Sequence, residues 1–159
     1  EETYFTEDEL AGFVLMNDQS KGNCLHCHTT DADALGTTAK FSNNGLDSAQ
    51  TIFDYKDGGQ GVINGLDADM GKFRIPSLRN VAVTPPYMHD GRFQTLKEVL
   101  DFYSEGIQSS VNVDSKLGFV HQGGAHLTEE EKHQIIQFLH AFTDSTLLVD
   151  PRYGNPFEE

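Results

Sequence analysis

The chain is 159 residues long, with 11 Lys and Arg against 25 Asp and Glu and a net charge of −14, a size that fits one domain with one core. Such acidity repels phosphate backbones and anionic lipid heads, which argues against nucleic acid as a partner. No run approaches the roughly 18 apolar residues that a membrane-spanning helix needs.

We expect a single domain over 1–159, with a core of about 5–145 and a wrapping tail over 146–159. The acidity has two readings that sequence does not separate: a well-solvated surface, or steering of a basic protein partner. The chain starts at Glu1 with neither a Met nor a leader. We therefore expect something upstream to have been removed, either a signal peptide or a whole preceding domain.

Thr6 to Glu9 reads as a capping box opening a short helix through Met16, with Leu10, Phe13, Val14 and Leu15 as its apolar stripe. Residues 31–72 are rich in Gly, Asn, Asp and Thr, with one helical turn expected around Ala49 to Tyr55 and no strand-type alternation. A loop that long in a compact domain makes sense if it covers a cofactor. The next helix starts at a second box, Thr95 to Glu98, sets Leu96, Val99, Leu100 and Tyr103 on one face, and stops at Gly106. A further helix is capped by Thr128 to Glu131, lined by Ile135, Ile136, Leu139 and Phe142, and runs to about Phe142. The tail, DSTLLVDPRYGNPFEE, contains two prolines and is expected to wrap the surface without regular structure. There is no internal repeat.

Cys24, Cys27 and His28 form C-x-x-C-H, the attachment signature of c-type haem. Two thioethers tether the porphyrin and the adjacent His is delivered to the iron as proximal ligand. A redox dithiol would require a βαβ context, and a zinc site further paired ligands; the chain holds no other Cys. His26, inside the motif, reads as an ordinary exposed residue. A large flat apolar cofactor also explains how few helices, long polar loops and 37% hydrophobic residues can fold. The fold class is therefore all-α, a cytochrome c-like domain with few helices and long loops wrapped around one covalent haem.

The opposite face of the iron decides function, since a strong protein ligand favours electron transfer while an open face admits peroxide. Chemistry nominates three residues: the Met88 thioether, the His89 imidazole and the Tyr103 phenol. Each has a plainer role available, respectively gap filler, hydrogen-bonded loop residue and core aromatic. Spacing alone leans weakly to Met88.

The stretch GKFRIPSLRNVAVTPPYMHDGRFQTLKEVLDFYSEG, residues 71–106, together with C-x-x-C-H upstream and LTEEEKHQIIQFLHAFTD downstream, resembles the C-terminal haem domain of the bacterial dihaem cytochrome c peroxidases. That family includes the methylamine-utilisation enzyme that matures a tryptophan-derived cofactor. The resemblance rests on Phe73, Pro76, Ser77, Leu78, Arg79, Asn80, Pro86, Tyr87, His89, Asp90, Gly91, Thr95 and Leu96, and covers most of residues 5–145. It implies a domain that takes electrons from a donor and passes them to a peroxide-reactive haem. It implies a sixth iron ligand on the helix after the HDG turn, Met in typical peroxidases and Tyr in the methylamine-utilisation branch, which here falls on Tyr103 and moves Met88 to runner-up. A phenolate is a hard donor that stabilises ferric iron and lowers the potential. The resemblance further implies that Arg79 contacts a haem propionate, and that the carbonyls of Thr84 and Pro86 help to hold a calcium ion between two domains.

One departure is large: the chain has a single C-x-x-C-H, whereas the family's peroxidases carry two haems. The expected function is thus an electron relay to or from a haem domain upstream or in a redox partner protein, in the periplasm or another extracytoplasmic place. The alternative is a self-sufficient monohaem peroxidase with an open iron, which needs a distal acid–base group such as His89.

Overall fold

The computed structural model describes residues 4–30, 36–117, 122–155 and 157. Glu1, on which the expectation of a removed leader rests, lies outside them. Among the described residues there are five α-helices: α1 (Glu7–Asn17), α2 (Gln60–Asn64), α3 (Leu96–Asp101), α4 (Glu129–His140) and α5 (Ser145–Val149). The strands β1 (Phe41–Ser42) and β2 (Phe73–Arg74) form one short antiparallel ladder, Phe41 opposite Arg74. Among the described residues, no helix is long and apolar enough to cross a membrane.

All three expected capping boxes are formed: Thr6 with Glu9, Thr95 with Glu98 and Thr128 with Glu131. In each, the Thr oxygen accepts the backbone N–H three residues on while the Glu carboxylate accepts that of the Thr, so two otherwise unpaired donors are satisfied. The capped ends also carry acidic side chains, which the positive end of a helix dipole favours.

Helices α1 and α4 pack against each other, with Ile135, Phe138 and Leu139 buried on one side and Met16 on the other. Phe138 is the centre of an aromatic cluster, 5.7 Å from Phe5, 5.5 Å from Phe13 and 5.2 Å from Phe142 between ring centroids. Of the expected α1 stripe, Phe13 and Leu15 pack against the core, whereas Leu10 and Val14 are more than half exposed and the fully buried positions are Gly12 and Met16. The reason is a close approach: a Cβ on Gly12 would lie 2.1 Å from the Gln134 carbonyl oxygen. Gly12→Ala must therefore push the helices apart, and we expect it to lower unfolding free energy by about 2 kcal/mol, read from the urea midpoint.

Helix α3 is tied to α4 by Lys132, a buried cation held by Asp101 at 2.7 Å and Glu129 at 2.9 Å. Two further expectations are corrected. No helix forms over 49–55, because Ala49 instead pairs with Ser110 in an isolated bridge and the nearest helix is α2. The tail does carry regular structure, because Asp144 accepts from the N–H groups of Thr146 and Leu147 and so caps α5, and Asp150 likewise caps a 3-10 turn at Pro151–Tyr153.

Candidate haem site

Asn23 adopts a left-handed conformation (φ 51°, ψ 38°) and turns the chain into a 3-10 turn at Cys24–His26. The Cys24 carbonyl then accepts from Cys27 N at 3.2 Å and His28 N at 2.9 Å. Spacings of three and four residues within helical turns put side chains on one face. Both thiols and the His28 imidazole are thereby offered together, while His26 is exposed and its Nδ1 meets Asn23 at 3.3 Å. Both cysteines are free and half-buried.

His28 Nδ1 lies 3.2 Å from the Gly36 carbonyl oxygen, so Nδ1 carries the proton and donates it, leaving the Nε2 lone pair for a metal. Burial pushes its pKa down, against the pull of the Gly36 and Pro76 carbonyls, which favours the neutral ligand form. Gly36 is positioned in turn by Leu78, whose N–H donates to the same carbonyl at 3.3 Å. Next to it, Thr38 N donates to Cys27 O at 2.9 Å, Thr37 Oγ1 donates to Ile75 O at 2.7 Å, and Ile75 N donates to Lys40 O at 2.8 Å. The segment 36–40 thus staples the cysteine turn to the stretch around Ile75 to Leu78.

Burial pushes the Cys24 thiol up to about 11 and raises that of Cys27 as well. A redox dithiol needs the opposite, a lowered pKa that supplies thiolate.

Tyr103 stands in a π-turn, Phe102–Gly106, that continues α3; such wider turns recur at functional positions. Two backbone carbonyls of this turn are taken by a neighbouring loop, Ala125 N donating to Tyr103 O at 3.0 Å and His126 N to Ser104 O at 2.9 Å. The ring is half-buried and packs against the core cluster. Burial pushes its phenol up to about 12, and the hydrogen bond with Asn44 opposes that shift; Tyr103 and Cys24 pack against the same core cluster. Met88 reaches the same place: Asn44 Nδ2 lies 3.2 Å from Tyr103 Oη and 3.6 Å from Met88 Sδ. His89 goes elsewhere and stacks on Phe73, ring centroids 3.6 Å apart and 8° from parallel.

These residues fit a c-type haem. Cys24, Leu25, Val81, Ala82, Met88 and Tyr103 pack against the core while part of each stays exposed, which leaves apolar surface that a flat apolar group would cover. The Thr38 hydroxyl is buried without a hydrogen-bond partner, a state that costs about 1–3 kcal/mol unless something else supplies one. Thr38 is also bonded through its backbone to Cys27.

The remaining expected residues stand apart from this convergence. Arg79 is exposed and its guanidinium pairs with Asp144, whose carboxyl the Thr146 hydroxyl and Arg79 together hold well below the usual carboxylate range. Thr84 and Pro86 are exposed on either side of Pro85, and the Thr84 hydroxyl donates to Asn80 O at 3.1 Å. Gly36, Thr38 and Asn44 were not anticipated from sequence; the only signal for the last was the N-N-G turn signature at 43–45.

No family profile matches the chain. A cytochrome-c peroxidase, IdrP1, of Pseudomonas sp. (strain SCT) is 41% identical over 92 residues, which is 57% of this chain and 23% of that protein. The methylamine utilization protein MauG of Methylophilus methylotrophus is 36% identical over 111 residues, 68% of this chain and 30% of that one. Among solved structures, a MauG-like protein associated with microbial copper homeostasis superposes with a TM-score of 0.78 at 34% identity, covering 98% of this chain and 52% of the other. The chain spans from about a quarter to about half the length of these proteins.

Proposed function

Since the chain belongs to the bacterial dihaem cytochrome c peroxidase family, with its MauG branch, we propose that it is a c-type haem electron-transfer domain. It corresponds in this reading to the C-terminal half of those enzymes and relays electrons to or from a partner haem, carried by an upstream domain or a redox partner protein. The haem, once attached, supplies a one-electron ferric–ferrous couple.

The residues of the chain do the rest. Cys24 and Cys27 would hold the haem through two thioethers and His28 through its Nε2 lone pair, the Gly36 carbonyl keeping the ring in that tautomer. Tyr103 would offer its oxygen to the iron, with Met88 as the runner-up. Arg79 would serve a propionate, and the Thr84 and Pro86 carbonyls would contribute to a calcium ion. Haem attachment of this kind is made outside the cytoplasm, so the domain works in the periplasm or another extracytoplasmic compartment.

The observation that carries this reading is the convergence of the Tyr103 phenol and the Met88 thioether on Asn44 Nδ2, 3.2 Å and 3.6 Å away, against the same core cluster on which Cys24 packs. Electron paramagnetic resonance of the oxidised holoprotein tests it. We expect a low-spin ferric signal, together with the resonance Raman bands of iron-bound phenolate. A high-spin signal without those bands would instead mean an open or water-bound iron and would move a self-sufficient monohaem peroxidase to first place.

A further inference from the structure

Residues 43–45 project one amide between the two side chains that compete for the sixth position. Asn44 Nδ2 is 3.2 Å from Tyr103 Oη and 3.6 Å from Met88 Sδ. A thioether sulfur accepts hydrogen bonds and never donates them, so it is the amide nitrogen and not the amide oxygen that belongs on this side. We propose that Asn44 is the positioning residue that selects Tyr103 over Met88 as the iron's sixth ligand, an inference that rests on the haem reading above.

The selection follows from the unequal worth of one donor to two acceptors. An oxygen ligand that becomes anionic gains a charge-assisted hydrogen bond and is penalised heavily if left buried without a donor. A thioether is a weak acceptor that loses little when the donor is absent. The amide therefore lowers the energy of the tyrosine-ligated arrangement and leaves the methionine-ligated one nearly where it was.

The donor can act this way because it is held in place on both sides. Asn43, with only 3% of its surface exposed, donates to Tyr55 Oη at 2.8 Å and to Ser110 Oγ at 3.1 Å, and its Oδ1 accepts from Gly45 N at 2.8 Å. On the other flank, Gln108 N donates to Gly45 O at 2.7 Å. The backbone of Asn44 cannot slide toward one ligand without breaking these bonds. The long polar segment before β2 thus delivers a neutral donor to the ligand pair from a part of the chain 44 residues before Met88 and 59 before Tyr103.

The test uses the holoprotein with haem attached. Ligation is read by electron paramagnetic resonance, by the resonance Raman bands of iron-bound phenolate, and by the sulfur-to-iron charge-transfer band that reports a methionine ligand; potentials come from redox titration. In Asn44→Ala we expect the ratio of tyrosine- to methionine-ligated ferric protein to fall about tenfold, the usual worth of one hydrogen bond of this kind, with the potential rising in step. Adding Met88→Leu to that variant must abolish the new sulfur band, which a loosened fold would not. Asn44→Leu, of similar shape and without a donor, repeats the measurement should the alanine variant fold poorly. Unchanged phenolate bands and potential in a folded Asn44 variant overturn the selection while leaving tyrosine ligation intact. A wild-type holoprotein lacking phenolate bands overturns both readings at once.

Discussion

Replacing Tyr103 with Phe is expected to change the ferric spectrum of the holoprotein and to raise its reduction potential by on the order of 0.1 V, a modest part of the roughly 0.8 V over which axial ligation tunes haem. The ring stays, so packing against Phe102 at 4.9 Å between centroids is kept, and the fold loses only the bond with Asn44, worth about 1 kcal/mol. What is lost is the hard oxygen that favours the ferric state. The vacated position then either stays open, giving a high-spin signal, or passes to Met88, which shares the Asn44 donor at 3.6 Å and as a thioether raises the potential further. Tyr103→Met gives the upper limit of that rise, and Met88→Leu in the otherwise native chain should leave spectrum and potential where they were. If Tyr103→Phe alters neither, the phenol is a core aromatic and the ligand assignment fails.

Sequence revealed those parts of the molecule whose chemistry is local. Each capping box is written within four residues, and Thr6, Thr95 and Thr128 all cap where expected. The spacing of Cys24, Cys27 and His28 matches the attachment signature of c-type haem within five residues, so it too is legible without a fold. The face of α1 is legible only in part, in Phe13 and Leu15, because its centre is Gly12, a residue that adds nothing to a hydropathy pattern while deciding how near α4 can come. Helix α2 was missed because its Val62 and Ile63 are largely exposed and leave no apolar stripe to find. Asp144 reads in retrospect as an N-cap for Ser145–Val149, overlooked because the prolines that follow suggested irregular chain. The site's supports are harder still. Gly36 meets His28 across a loop, and Asn44 meets Tyr103 across 59 residues; contacts made only once the chain has folded have no local signature.

The π-turn that presents Tyr103 depends on another such contact, and Gly124→Ala is expected to be strongly destabilising, at about 3 kcal/mol or more of unfolding free energy. Gly124 has φ +142°, a conformation that side-chain-bearing residues rarely adopt, and a Cβ there would lie 2.1 Å from Ser104 O and 2.4 Å from Ser104 C. Those are backbone atoms, so no rotamer change relieves the overlap. The loop must retreat, and with it go the bonds from Ala125 N to Tyr103 O and from His126 N to Ser104 O. Ser104 is wholly buried, and its hydroxyl, bonded to Leu127 N at 2.8 Å, is set adrift by the same movement. Two π-turn carbonyls and a buried hydroxyl left unpaired cost more than the turn can bear, and the turn relaxes toward the regular geometry of α3, rotating Tyr103 off its position beside Asn44. The variant should therefore show two linked changes, a large fall in thermal midpoint and, in the fraction that remains folded at low temperature, loss of the tyrosine-ligated signal. A midpoint near that of the native protein, with the ferric spectrum unaltered, would mean that the loop at 123–127 is not what holds the turn in place.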